Sequence, residues 1–457
     1  MRQSSAVKAK AEKMASKLLY VHTFGCQMNE YDSLRVQRLL GLEGYAVTEN
    51  PKEADIIFVN TCSVRAKAEQ KAYSLLGRLK GIKVRNPNAL LVVGGCVAEQ
   101  QREKIIERFP HVDLVIGTRA ISRLPDMIKE VRRTRTQKWL FPESEESCGM
   151  EWLDSSSPMW KTGIVASVTI MQGCDNFCTY CIVPYVRGRE RSRAPQEIIA
   201  EIRSLTAKGA KEVLLLGQNV NSYGKNLDPP ISFSELIKMI ASETDVLRIR
   251  FTTSHPKDLT EDLMKCFAEV PELCPQLHLP FQAGSDRILK KMNRKYTQTE
   301  YLRKIERLRD IRPDISLSAD VMVGFPGERE EDFLETLKVV ESVQFDNLFS
   351  FKYSDRPFTV ASRMEPKVDE KTKSRWLSTL QALQAEITLK KNLAEVGSLR
   401  EVLVEGKSKT GRGQLTGRTP QGRIVNFVGP SSLVGKIVAV RIVEGYAHSL
   451  KGKLIEE

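Results

Sequence analysis

Cys174-Asp-Asn-Phe-Cys178-Thr-Tyr-Cys181 sets three thiols within eight residues. A closed structural zinc site takes four ligands, and neither Cys nor His stands beside this run to supply the fourth. Three thiolates suit a cubane iron–sulfur cluster that keeps one iron open to a substrate or cofactor, whereas a ferredoxin-type run brings a fourth cysteine for electron transfer alone. Three buried or zinc-bound cysteines are the bland alternative.

Three more cysteines share a different kind of position. Cys26 follows Thr23-Phe24-Gly25, Cys62 follows Asn60-Thr61, and Cys96 follows Gly94-Gly95. Each stands just past a strand-like apolar run: Leu18 to Thr23, Ile56 to Val59 and Leu90 to Val93, with a fourth run at Leu114 to Ile116. Helix-like segments such as Tyr31 to Leu42 and Ala98 to Arg108 alternate with them. That alternation predicts a doubly wound parallel sheet over residues 18–135, whose ligands gather at the carboxyl ends of the strands. Separated by 36 and 34 residues, the cysteines form no local motif. Convergence of the strand-end loops would bring them to one site, while as isolated core cysteines they would be unremarkable.

The remaining chain reads as further domains. Residues 1–17 form a basic extension without the apolar middle of a secretory signal. Pro142, the acidic Glu143 to Glu146 stretch and Ser155 to Ser157 mark a linker at 136–162 that contains Trp139, Trp152, Trp160 and the unpartnered Cys148. Residues 163–396 carry six strand–helix units, with strands near Val165–Ile170, Val213–Leu216, Leu247–Thr252, Leu277–Pro280, Ile315–Val323 and Leu348–Tyr353. Six units fall short of the eight of a full barrel, so an open, partial barrel is expected, with the Cys174–Cys181 loop after its first strand. Cys266 and Cys274 read as structural. After a helical stretch from Asp369 to Glu395, residues 397–457 switch to short strands, Glu401–Val404, Gly413–Leu415, Arg423–Val428 and Ile437–Glu444, which predict a small antiparallel barrel.

The 457-residue chain has a formal charge of +13, nine cysteines and no apolar run long enough for a membrane span. The cysteine count is odd and far below disulfide-scaffold density, so a reducing cytoplasm is the expected home. The charge points to a polyanionic partner. Lys407, Lys409, Arg412, Arg418 and Arg423 lie in or beside turns of the last barrel, as a nucleic-acid-binding module would have them. Arg187, Arg189, Arg191 and Arg193 follow the cysteine loop and would clamp phosphates or a carboxylate.

The Cys-x3-Cys-x2-Cys spacing, with Tyr180 before the last cysteine, resembles the radical S-adenosylmethionine (SAM) superfamily. That resemblance implies a 4Fe-4S cluster whose open iron chelates the amino and carboxylate groups of SAM. Turns at other strand ends then become candidate SAM contacts: Gly217, Gln218 and Asn219; Gln282; and Gly324 in Gly324-Phe325-Pro326-Gly327-Glu328. Each also suits ordinary turn chemistry.

Over nearly its whole length the chain resembles the radical SAM methylthiotransferases, which join a three-cysteine domain, a radical SAM partial barrel and a TRAM barrel. Thr23-Phe24-Gly25-Cys26-Gln27-Met28-Asn29-Glu30, Ser254-His255-Pro256, the string His278 to Ser285, and Tyr353-Ser354-Asp355-Arg356-Pro357 are similar to the MiaB-type branch, which acts on tRNA. Branches acting on threonylcarbamoyladenosine tRNA or on a ribosomal-protein aspartate differ in these strings. Phe358-Thr359-Val360-Ala361 departs from the more usual Gly-Thr-Pro-Ala. The resemblance implies two 4Fe-4S clusters, one on Cys26, Cys62 and Cys96 and one on Cys174, Cys178 and Cys181. It also implies SAM as both methyl donor and radical source, and the anticodon stem-loop of tRNA as partner, with N6-isopentenyladenosine converted to its 2-methylthio derivative. A reductant such as flavodoxin or ferredoxin would supply electrons to a monomer. An RNA-binding iron–sulfur sensor that never cleaves SAM is the rival of another class.

Overall fold

The computed structural model describes residues 17–63, 66–141, 163–409, 411 and 413–455. The basic extension up to residue 16, Arg412, and Cys148, Trp152 and Trp160 of the expected linker lie outside the described residues. The described chain divides into two compact units. One is formed by residues 17–141 with Ile182–Gly188, the other by residues 163–181 and 189–455.

The first unit is built on a six-stranded, all-parallel sheet: β1 (Lys17–Thr23), β2 (Tyr45–Val47), β3 (Ile56–Thr61), β4 (Leu90–Gly95), β5 (Leu114–Ile116) and β6 (Lys138–Leu140), in the order β2-β1-β3-β4-β5-β6. Every residue of β3 and β4 is buried, as continuous apolar runs in a sheet covered on both faces require. Alternation divides them between two cores. Ile56, Phe58 and Val92 pack on one face, and Ile57, Val59, Leu91 and Val93 on the other.

Strand order reverses between β1 and β3, and a crevice opens at such a switch point. Register then sets the cysteines level, because Thr23 pairs with Asn60 and Asn60 with Gly94. Cys26, Cys62 and Cys96 follow that row by two or three residues. Two strands go beyond the sequence reading. Both edge strands, β2 and β6, are three residues long, and β6 occupies ground assigned to the linker. The helix expected from Tyr31 begins at Gln27, with Cys26 as its N-cap. The helix expected over Ala98–Arg108 is two, Cys96–Gln101 and Lys104–Arg108, parted by Arg102 at φ 49°.

The second unit opens with β7 (Val165–Thr169) and a two-residue pairing of β8 (Met171–Gln172) with β9 (Arg191–Ser192). Next come β10 (Glu212–Leu216), β11 (Arg248–Phe251), β12 (Gln276–His278), β13 (Ser316–Val323) and β14 (Asn347–Lys352). The six parallel strands form two sheets, β11-β10-β7 and β12-β13-β14. Their seam is bridged by Ile249, which donates to Glu272 O (2.7 Å) and accepts from Cys274 N (3.0 Å). The result is a partial barrel filled by Val168, Leu215, Ile249, Leu277, Ala319 and Val321. Cys266 and Cys274 are buried packing residues. Helix Glu370–Leu393, capped by Asp369, covers the β14 edge: Gln384 donates to Phe345 O (2.8 Å) and Thr388 to Asp346 O (3.1 Å).

The chain ends in a closed five-stranded barrel: β15 (Leu399–Lys407), β16 (Gln414–Arg418), β17 (Ile424–Val428), β18 (Ile437–Gly445) and β19 (Leu450–Leu454). Four of its five pairings are antiparallel, and β17 with β19 is parallel. The sequence reading lacked β19, whose Leu-Lys-Gly-Lys-Leu run has glycine at its centre. Two buried arginines of β11 grip this barrel's loop. Arg250 bonds Glu212 (2.8 Å) and the carbonyls of Thr419 and Pro420 (2.8 Å each), and Arg248 bonds Arg418 O (2.7 Å).

Candidate active site: two loops of three cysteines

At the first site the strand ends bring Cys26, Cys62 and Cys96 around one asparagine, the first of the two arrangements the sequence left open. Asn29 is the hub. Its amide nitrogen donates to Phe24 O (3.1 Å), Asn60 Oδ1 (3.2 Å) and Thr61 O (2.8 Å), tying the first turn of its helix to the ends of β1 and β3. Its Oδ1 accepts from Cys26 Sγ (3.6 Å) and Cys96 Sγ (4.0 Å). Cys62 closes the set by a hydrogen bond to Cys26. Gly25, at φ 122°, permits this approach: a Cβ there would lie 2.4 Å from Cys62 Cβ and 2.7 Å from its Sγ.

The thiols differ in acidity. Cys26 is drawn down to about 6, first by the hydrogen bond from Cys62, then by Arg187 and the backbone N–H groups of Asn29 and Met28, against the opposing effect of desolvation. Burial raises Cys96, and Arg187 moderates the rise. A thiol of lowered pKa beside a guanidinium, as Cys26 is, readily gives the thiolate, the form in which sulfur ligates metal.

In the second unit, Gly173–Cys181 is held from several sides. Gly173 N donates to Gln218 Oε1 (2.5 Å). Thr179 donates from its nitrogen to Met292 O (3.1 Å) and from its hydroxyl to Lys291 O (2.9 Å), and its carbonyl accepts from Ala361 N (2.9 Å). Asn293 donates to the carbonyls of Asn176 (3.2 Å) and Phe177 (3.0 Å). Arg294, buried, donates to Cys178 Sγ (3.5 Å), Tyr180 Oη (3.3 Å), Pro280 O (2.7 Å) and Tyr296 Oη (3.1 Å). Burial lifts the Cys174 thiol to about 12.

Asn29, Asn293 and Arg294 were not assigned roles from the sequence. The signal available for the last two was the Asn-Arg-Lys turn shortly after the helix Asp286–Lys291, where Asn293 and Lys295 both take φ 59°. Asparagine tolerates that conformation unusually well.

The turns after β10, β11 and β13, the first and last of which were read as SAM contacts, gather buried polar atoms without a partner among the described residues: Asn219 Oδ1 and both amide atoms of Asn221, Ser254 Oγ and His255 Nε2, and Glu328 Oε1. Orphans of this number call for a polar ligand. His255 is kept neutral, its pKa pressed to about 2 by burial and by Arg294. Gly217 has no room for a Cβ, which would meet Met171 Cγ at 2.5 Å, and Gly324 at φ 78° has Lys373 Cγ at 2.1 Å from that position. Gln282 is buried at φ 68° with its backbone bonded to β13, and the Tyr180 hydroxyl is engaged by Arg294.

The basic run divides, which corrects the expectation of four phosphate-clamping arginines. Arg187 is buried and paired with Asp32 (2.7 Å). Arg193 is buried and paired with Glu201 and with Glu197 (3.3 Å). A guanidinium taken out of water needs a carboxylate, and these two are committed to the fold. Arg189 and Arg191 are exposed; Arg189 pairs with Asp175 (3.1 Å) and lies 5.2 Å over the Phe177 ring. In the last barrel, Lys407 and Lys409 are exposed and Arg418 pairs with Glu405 (2.9 Å). Arg423 is turned inward to Asp346 (2.7 Å), Glu395 (3.3 Å) and Asn392 (2.7 Å), a second correction.

Among the described residues, no group of three His, Cys, Asp or Glu side chains is set to hold a single metal ion. A cube of four irons takes each thiolate on its own iron, and the thiols of Cys26, Cys62 and Cys96, gathered around Asn29, are the donor set such a cluster uses.

A model of the Radical SAM superfamily matches residues 168–340, one of the TRAM domain matches 393–455, and one described as Uncharacterized protein family UPF0004 matches 18–117. Among solved structures, the radical S-adenosylmethionine methyltransferase TsrM from Kitasatospora setae, with tryptophan and a SAM analogue bound, is similar at a TM-score of 0.55 and 15% identity, over 76% of this chain and 75% of that one. This last likeness is one of fold. The chain is a radical SAM enzyme with a parallel-sheet unit before its barrel and a TRAM barrel after it. A curated protein of Syntrophobacter fumaroxidans, named tRNA-2-methylthio-N(6)-dimethylallyladenosine synthase, is 58% identical over 443 residues, 97% of each chain. A protein of the same name from Syntrophus aciditrophicus is 49% identical over 461 residues, 100% of this chain and 98% of its own. The chain belongs to this family of radical SAM tRNA methylthiotransferases.

Proposed function

We propose that the chain converts N6-isopentenyladenosine, the dimethylallyl nucleoside of its relatives' name, to the 2-methylthio derivative just 3′ of the anticodon in tRNA. Cys26, Cys62 and Cys96 would hold one 4Fe-4S cluster, and Cys174, Cys178 and Cys181 another. The observation that carries this reading is the presence of two three-thiol sets at strand ends of one chain.

When bound, a cluster with an open iron beside SAM supplies the electron that cleaves the sulfonium and yields a 5′-deoxyadenosyl radical. The protein's own part is positioning. Asn293 and Thr179 fix the loop that carries the thiols, and Arg294 orients the Cys178 sulfur by donating to it. Asn219, Asn221, Ser254 and Glu328 offer a zwitterionic ligand the donors and acceptors it needs. Gly217 and Gly324 let Met171 and Lys373 pack directly against the backbone of these turns. The adenine must leave its loop's stack for C2 to be reached, as single-stranded RNA bases do on their readers. Exposed Arg189, Arg191, Lys407 and Lys409 suit the tRNA backbone.

A low-potential donor of the flavodoxin or ferredoxin kind would serve a monomeric enzyme in a reducing cytoplasm. Among the described residues no helix is long and apolar enough to cross a membrane. The test is anaerobic turnover of the reconstituted chain on an isopentenylated anticodon stem-loop, with mass spectrometry of the nucleosides. The 2-methylthio product is expected; SAM cleavage without it would overturn the substrate assignment.

A further inference from the structure

Of the four arginines after Cys181, Arg187 belongs to the first unit, and the other three belong to the second. Its short helix, Val183–Arg187, is anchored there by Ile182 and Val186 packing on Cys96 and by Thr118 donating to Val186 O (2.6 Å). The guanidinium is 3% exposed. Nη2 donates to Asp32 (2.7 Å) and to Asn29 Oδ1 (3.3 Å), the same oxygen that accepts from Cys26 and Cys96.

Nη1 has no acceptor among the described residues, although it is buried. An unsatisfied buried donor is uncommon, and one on a cation more so. Asp32 neutralises the charge, and the guanidinium stands close enough to Cys26 and Cys96 to act on both thiols, on Cys96 also through a hydrogen bond. The acceptor that suits Nη1–H is an anion at the cysteine site. Anionic sulfur accepts charge-assisted N–H bonds, and a fixed guanidinium fork is pre-organised to give them.

We propose that Arg187 is a positioning residue for anionic sulfur at the three-cysteine site, its Nη1–H donating to the sulfide or thiolate held there for transfer. The proposal rests on the sulfur-insertion reading and assigns the recognition of that sulfur to one residue. Hydrosulfide and methanethiolate are the probes it concerns. An arginine that merely braced its helix to Asp32 would leave their binding untouched.

The test uses the full-length chain with Cys174, Cys178 and Cys181 replaced by alanine, so that one cluster remains, titrated with hydrosulfide and followed by the electron paramagnetic resonance of the reduced protein. Arg187→Gln is expected to weaken hydrosulfide binding at least tenfold and Arg187→Lys threefold or more, because an ammonium keeps the charge but loses the fork. Asp32→Asn, which spares the guanidinium, is expected to leave the affinity unchanged or tighter. Unchanged affinity in Arg187→Gln, or an equal loss in Asp32→Asn, overturns the proposal. Should Arg187→Gln take up no iron, Arg187→Lys decides: a threefold loss supports the role and an unchanged affinity ends it. If wild-type chain still forms the 2-methylthio nucleoside while Arg187→Gln binds hydrosulfide normally, only the role of Arg187 fails. If the unsubstituted site binds no hydrosulfide and no product forms, the sulfur-insertion reading fails with it.

Discussion

Glu328 sits where a carboxyl is hardest to ionise. Its Oε2 accepts from Gly324 N (2.5 Å) and Phe325 N (2.8 Å), yet burial outweighs both bonds and raises its pKa to about 7. The unfolded chain ionises this group at a lower pH than the folded one. Stability is therefore fully present below the ordinary carboxylate range and is lost as pH rises to about 7. In SAM-free protein, Glu328→Gln should remove that loss, worth on the order of 3 kcal/mol. Urea midpoints for both proteins at pH 5 and pH 8 check it, and parallel pH profiles would sink the assignment. The six cysteines were legible because thiols at strand ends are rare and chemically loud. Asn29 and Arg294 were not, because each acquires its role from segments far away in the sequence: Asn29 from Asn60 and Thr61, Arg294 from Cys178 and Pro280.

Loops rather than strands carry the tension in the second unit. Phe358 holds φ 69° with its residue 58% exposed, on the loop whose Ala361 N bonds Thr179 O. A left-handed conformation at a bulky residue is strained, whereas glycine adopts it freely. Phe358→Gly is expected to raise stability by up to about 1 kcal/mol, the relieved strain being partly offset by the freer unfolded chain. A lower melting temperature in that variant would mean that the ring's contacts outweigh the backbone. At this scale the sequence read long elements well and short ones poorly. The runs in β3 and β4 show their burial plainly, whereas three residues of β2 or β6 are too few to show a period. The start at Gln27 was missed because Gln-Met-Asn-Glu reads as polar loop until Cys26 is seen to cap it.

The cations behind the total of +13 divide into those paired inside the fold and those that face water. Arg193, Arg248, Arg250 and Arg423 are committed to carboxylates and carbonyls inside the second unit, and Lys407 and Lys409 face water. RNA affinity should separate the two kinds. Replacing Lys407 and Lys409 by glutamine is expected to lower the slope of log affinity against log salt by about 1 to 2, with folding stability unchanged. Arg423→Gln should leave the slope alone and destabilise the protein by roughly 3 kcal/mol, since Asp346 loses a buried partner. Filter binding across a salt series, with a urea melt for each variant, distinguishes them. A slope that falls for Arg423→Gln would show that its ion pairs open on RNA.

The membership of Ile182–Gly188 in the first unit also bears on biosynthesis. A ribosome releases the chain from its amino end, and domains fold as they emerge. Residues 17–141 are made long before Arg187, so Asp32 waits without its countercharge while the chain up to Cys181 is synthesised. The first unit thus finishes folding only after the thiols of the second have left the tunnel. Until then the three cysteines of the sheet stand without their arginine, and a truncated chain ending before residue 182 would never acquire one.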